Sequence, residues 1–124
     1  MSPLAWLAFT AAAAVGAPVR YLVDVAVSDR AHGVFPWGTF VVNATGSFLL
    51  GFLTGLGLYH AFPDTPRIVL GTGFCGAYTT FSTFTFETVR LIEEGDIREA
   101  FGHAFGSLAV GGVAAAAGLA LATL

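Results

Sequence analysis

Residues 71–90, GTGFCGAYTTFSTFTFETVR, put hydroxyls, glycines and phenylalanines into a stretch that is otherwise apolar enough to lie in a bilayer. Polar groups at membrane depth are costly unless they line a cavity or meet a partner, so this run is the place to look for function. Thr80, Thr83 and Glu87 follow one another at spacings of three and four and share a helical face; Phe81, Phe84 and Thr88 share the adjacent one. The edge of a phenyl ring carries partial positive charge, so it can meet an anion without a formal cation. Conduction needs binding strong enough to admit an ion and weak enough to release it, which an arginine in mid-path would defeat for a small anion. The same two phenylalanines at i and i+3 also suit ordinary packing.

Gly71, Gly73 and Gly76 crowd the start of the run. Glycine at this density loosens a helix and can leave carbonyls without intrahelical donors. A break of that kind is tolerated at membrane depth only when buried in protein or wet. Freed carbonyls can replace the hydration of a hard cation, and two copies meeting across a symmetry axis would surround one ion. The alternative is a helix kinked for packing. Asn43 is the one carboxamide in the chain, flanked by Thr39, Thr45 and Ser47. Its N–H groups suit an anion or a hydrogen bond between helices equally well. Ser107 is the deeper of two hydroxyls near the C-terminal end, and it either extends a polar track or bonds its own helix.

Catalytic patterns are missing. His32, His60 and His103 are scattered, Cys75 is alone, and no metalloprotease, nucleophile-elbow or phosphate-loop motif occurs. The carboxylates other than Glu87 fall in connectors.

The elements that must position these residues follow from composition. Of 124 residues, 56% are hydrophobic and 10% charged, with no lysine. Soluble domains carry about 25% charged residues, and a domain this size leaves about a third of its surface exposed. The chain therefore reads as an all-α membrane protein of one domain, with four spans at about residues 4–23, 35–59, 67–93 and 98–124. Charge and turn residues mark the connectors: Asp24, Asp29 and Arg30, then Pro63 and Pro66, then Gly95 as a helix-ending C′ residue with Asp96 as the next N-cap. Arg20 is expected to snorkel to the interface. There is no basic patch for nucleic acid. The N-terminal span lacks a basic leader and reads as retained. Arginines favour one side by about one charge, a bias small enough to permit insertion in both directions. Gly51 with Gly55, and Gly102 with Gly106, form small-xxx-small pairs. They serve either a homodimer or the packing of the chain's own helices.

The run GFCGAYTTFSTFTFETV resembles the signature of the Fluc-type (CrcB) fluoride channels, and GAPVRYL and WGTFVVNATGSFLLGF agree with it. The resemblance covers all four spans. It implies a passive fluoride-selective channel, not an enzyme, in the cell (inner or plasma) membrane, exporting fluoride and lowering its cytoplasmic level. It further implies an antiparallel, dual-topology homodimer with two pores, a third helix broken near Gly76 and Thr79, and a central structural Na+ held by the main-chain carbonyls of those two residues. Carried over by motif, Asn43, Phe81, Phe84, Ser82, Thr83 and Ser107 line the fluoride pore and Glu87 faces a vestibule. The fourth helix departs from the family pattern of a tyrosine and two serines: His103, Ser107 and Gly111 stand there, and a histidine invites pH-dependent conductance. The competing function is a proton-coupled exporter of the small multidrug type, which needs a membrane-embedded carboxylate that the first span lacks. A noncatalytic assembly subunit would explain the glycines but not the Thr, Phe and Asn constellation.

Overall fold

The computed structural model describes the whole chain, Met1–Leu124, and every regular element in it is helical. Helix α1 (Pro3–Arg30) starts on Ser2, whose hydroxyl accepts from the Ala5 N–H at 3.1 Å, with Pro3 in the first turn where its missing N–H is harmless. It runs through the segment expected to be a connector and stops at Arg30; only residues 31–36 link it to α2 (Trp37–Tyr59). Asp24 and Ser28 are part of its last turns, where the Ser28 hydroxyl donates to Asp24 at 3.1 Å. Local polarity does not end a helix whose backbone bonds continue.

The third stretch is composite. It comprises α3 (Asp64–Ile68), a π-helical segment (Val69–Cys75), the short α4 (Gly76–Tyr78), an extended interruption and α5 (Ser82–Glu93). The glycine-rich part does not break. It widens into the π form, with the Gly76 N–H reaching back five residues to the Gly71 carbonyl, and such π segments often mark functional sites. Gly76 itself is helical. The chain turns extended at Thr79, with φ −81° and ψ 161°. Helix α5 ends in the expected way: Gly95 adopts φ 85°, its N–H donates to Ile92, and the Asp96 N–H donates to Leu91 at 2.8 Å, the paired bonds of a Schellman motif. Helix α6 (Ile97–Leu121) follows with Asp96 at its N-cap position.

Helices α2 and α6 make the most extensive pair. A methyl group on Gly51 would collide with the Ala115 backbone, one on Gly55 with Ala122, and one on Gly118 with the backbone of Phe48 and Phe52. Gly102 and Gly106 look towards Phe35 and Phe40 of the same chain. Gly51 and Gly55 therefore serve the packing of α2 on α6, whereas Gly102 and Gly106 make only ordinary contacts with rings of the same chain. Against α1, Gly16 meets the backbone of Phe74 and Tyr78.

Only 17 of 124 residues are buried, while Leu4, Trp6, Leu7, Phe105, Leu108 and Val113 are all more than half exposed. Water would not tolerate so much open apolar surface. Helices α1, α2 and α6 are each long and apolar enough to cross a membrane.

Candidate functional site

The site forms where the interruption after α4 crosses α2. In a continuous helix the Thr80 N–H would serve the Gly76 carbonyl. It donates instead to Asn43 Oδ1 at 2.9 Å, and Asn43 Nδ2 donates back to the Thr80 carbonyl at 2.9 Å. The amide of α2 thus grips both sides of the residue at which the helix fails. A backbone N–H can only donate, so the oxygen of the amide must face it and the orientation is fixed. A carboxamide nitrogen carries two hydrogens; one is spent on Thr80 and one remains. The two roles left open by the sequence are compatible in one side chain.

Around this clamp the interruption is tied off locally. The Thr79 hydroxyl donates to the Cys75 carbonyl at 2.8 Å. Thr80 Oγ1 accepts from the Thr83 N–H at 3.1 Å and so caps α5. Tyr78 is buried, with its hydroxyl 2.8 Å from Thr45 Oγ1. Gly46 lets α2 approach, since a methyl there would collide with Thr79. Arg20 does not merely snorkel: its Nη1 donates to the Thr79 carbonyl at 3.4 Å.

Beside the clamp lies an open groove of about 690 Å³. Asn43, Phe81, Phe84 and Ser107 all face it, as do Gly76 and Thr79, and no charged side chain lines it. Phe81 and Phe84 stand with ring centroids 6.0 Å apart and planes tilted by 46°. Phe81 is 76% exposed, so the groove is open on that side. Ser82 and Thr83 do not share this groove. Ser82 is exposed, with Oγ 3.4 Å from Thr80 Oγ1. Thr83 faces a smaller pocket of about 170 Å³ with Arg20, Asp24 and Thr80. Glu87 lies outside both, 3.5 Å from His103 Nε2.

Two residues were undervalued by sequence reasoning. Arg20 carried a signal, a charge within an apolar run. His103 is wholly buried, between Phe35 and Phe84 at centroid distances of 5.5 and 4.9 Å, with Ser107 Oγ 3.4 Å from Nδ1. Glu87, His103 and Ser107 line up in the order of a nucleophilic triad. The serine is inside α6, however, where backbone N–H groups are spent on the helix, so no oxyanion donors surround it.

Residues 7–119 match the family model described as "CrcB-like protein, Camphor Resistance (CrcB)". The chain belongs to this family. It is similar to a protein of Streptomyces avermitilis named fluoride-specific ion channel FluC 1, 48% identical over 114 residues and 92% of each chain. A protein of the same name from Frankia casuarinae is 48% identical over 122 residues, covering 94% of this chain and 95% of the other. One from Symbiobacterium thermophilum is 45% identical over 121 residues, covering 95% and 97%. With three helices suited to crossing a bilayer, this CrcB-family chain is a multi-pass membrane protein.

Proposed function

We propose that the chain is a passive, fluoride-selective channel that lets fluoride leave the cell, as its relatives' names imply for them. The observation that carries this reading is the groove: neutral polar groups and phenyl rings line it, and no charged side chain does. Asn43 offers its spare N–H, and the rings of Phe81 and Phe84 can offer their edges, with Ser107 beside them, a set suited to solvating a small anion without trapping it. Ser82 and Thr83 belong to the approach rather than to the groove, and Glu87 to its flank. The proton-coupled exporter is disfavoured, because Glu87 faces His103 instead of an open substrate cavity.

The composite third stretch crosses the bilayer as two half-helices, giving four spans in one domain; an irregular segment at membrane depth suits a cavity wall. A second, antiparallel copy completes the groove. Its support is the open side, where Phe81, Phe105 and Leu108 are 76%, 64% and 74% exposed, together with the weak charge bias of the connectors.

In this reading the main-chain carbonyls of Gly76 and Thr79 would hold a sodium ion. The Gly76 carbonyl has lost its helical donor to Asn43, and nothing stands within 4 Å of where a Gly76 side chain would be. The Thr79 carbonyl accepts only one long bond, from Arg20. Two carbonyls from each of two copies would hold the ion, which supplies fixed positive charge at the meeting point of the interruptions.

Fluoride efflux from liposomes holding purified protein tests the proposal. Rapid fluoride loss without chloride loss or a proton gradient supports it, and Phe81→Ile should abolish the flux while leaving the oligomer intact. Equal release of both halides would end the fluoride-channel reading.

A further inference from the structure

We infer that His103 is a positioning residue that sets which way the Ser107 hydroxyl points, so that one proton taken up beside the groove turns Ser107 from a hydrogen-bond acceptor into a donor towards the anion. The inference rests on the channel reading above and concerns a relay of three side chains that lies next to the groove, with Ser107 alone lining it.

The geometry is as follows. His103 has no exposed surface. Its Nε2 stands 3.5 Å from Glu87 Oε1, an electrostatic approach rather than a hydrogen bond, and neither of those buried atoms has a hydrogen-bond partner. Its Nδ1 stands 3.4 Å from Ser107 Oγ. An unpaired buried polar atom is expensive, and an ionised carboxylate only accepts. The carboxylate oxygen 3.5 Å away favours the hydrogen of a neutral His103 on Nε2, on the side that faces Glu87. Its Nδ1 is then a bare lone pair, and Ser107 must spend its one O–H on it. What Ser107 shows the groove in that state is oxygen lone pairs, the wrong polarity for fluoride.

Adding a proton at Nδ1 reverses the last link. Both ring nitrogens now carry hydrogen, Nε2 facing the Glu87 carboxyl and Nδ1 donating to Ser107 Oγ. The Ser107 hydrogen is released to point into the groove, and the relay becomes one unit more positive. Both changes favour an anion at Phe84, whose ring packs edge-on against the imidazole at 4.9 Å. The proton balance is one H+ from water on the imidazole, with no bond made or broken elsewhere.

Glu87 is the one acidic side chain that α5 brings against the imidazole. Arg90, a turn further along α5, is drawn off to Glu94 at 3.5 Å. Helix α6 adds Arg98 and Glu99 a turn before His103, α2 adds no titratable group up to Tyr59, and the linker before it adds the exposed His32. The switch is thus a property of the Glu87–His103 pair.

The test is fluoride efflux from liposomes at symmetrical pH of about 5.5 and about 8, on either side of the ordinary histidine range, with protein-free liposomes correcting for leak of the undissociated acid. The expected result is flux about tenfold faster at the lower pH, the size of one hydrogen bond gained. His103→Gln and Ser107→Ala should each flatten the response. Equal flux at the two pH values, or a response that survives in either variant, would overturn the inference. Should His103→Gln fail to fold, 15N NMR of histidine-labelled wild-type protein decides: a neutral Nε2–H tautomer at the higher pH and a doubly protonated ring at the lower are required. A ring still neutral at the lower pH sinks the idea. Absence of fluoride flux at every pH, by contrast, counts against the channel reading, and the NMR titration still judges the relay.

Discussion

Helices α2 and α6 and the composite stretch from α3 to α5 are both rich in glycine, yet they use it in opposite ways. Between α2 and α6 the glycines face backbone. Gly51 sits over Ala115 and Gly118 over Phe48, so two unbroken helices touch main chain to main chain, the closest packing available where lipid gives no hydrophobic drive. In the composite stretch Gly73 still packs against the Phe9 carbonyl of α1, but Gly76 faces nothing within 4 Å, and the helix widens into a π segment before the chain turns extended at Thr79. What separates a stitch from an opening is the element opposite the glycine, and not its frequency in the sequence.

That contrast can be broken most sharply by adding side chains at each kind of position. Gly118→Val drives a branched side chain into the Phe48 carbonyl and the Phe52 amide. Backbone cannot yield as a flexible side chain can, so the cost is expected at or above about 3 kcal/mol, read as loss of a monodisperse, detergent-stable protein. Gly76→Ala adds a methyl into open space at a helical φ of −61°. The single chain should gain slightly, up to about 1 kcal/mol from helix propensity, while fluoride flux and dimer yield fall if a second copy approaches there. Equal damage from both substitutions would erase the distinction. Next in size is Asn43→Asp. It keeps the acceptor for the Thr80 N–H but loses the donor to the Thr80 carbonyl and the spare N–H, and it brings a negative charge into a groove that holds none. Fluoride efflux should drop below detection with the helices intact by circular dichroism. Normal efflux would remove Asn43 from the path.

Much of this was legible in the sequence because its cause is local. Hydropathy and the lack of charge between Val34 and Tyr59 marked α2, and Gly95 ended α5 as its freedom at positive φ suggested. The end of α1 was not legible. Asp24, Asp29 and Arg30 read as a connector, yet a helix already formed over Pro3–Val23 keeps adding i to i−4 bonds through these polar residues at little further cost. The interruption falls at Thr79, within the stretch expected to break, but its cause was not legible. Glycine permits a break but does not demand one; the demand comes from Asn43, 37 residues away, which takes the Thr80 N–H. His103 read as an oddity of the fourth helix because its meaning lies in Glu87 and Ser107 together, one of them on another helix. Long-range pairings of this sort leave no period or spacing to detect.

The smallest expected effect sharpens the claim that α2, and not the composite stretch itself, holds the interruption open. Thr80 takes part twice: its peptide is gripped by Asn43, and its hydroxyl caps α5 through the Thr83 N–H at 3.1 Å. Thr80→Ala removes the cap alone, because the peptide is still there for Asn43 to grip. Loss of a threonine cap costs about 1 kcal/mol, a fall of a few degrees in thermal midpoint, with conduction reduced only modestly. Asn43→Ala removes the grip and leaves the cap. It strands a peptide N–H and a carbonyl where water is scarce, each costing about 1–3 kcal/mol. The asymmetry is the point: if the two alanine variants melt together, the α5 cap and the α2 amide contribute equally and the interruption is self-supporting. If Asn43→Ala melts well below Thr80→Ala, the opening beside the groove is imposed by the helix that otherwise packs most tightly against α6.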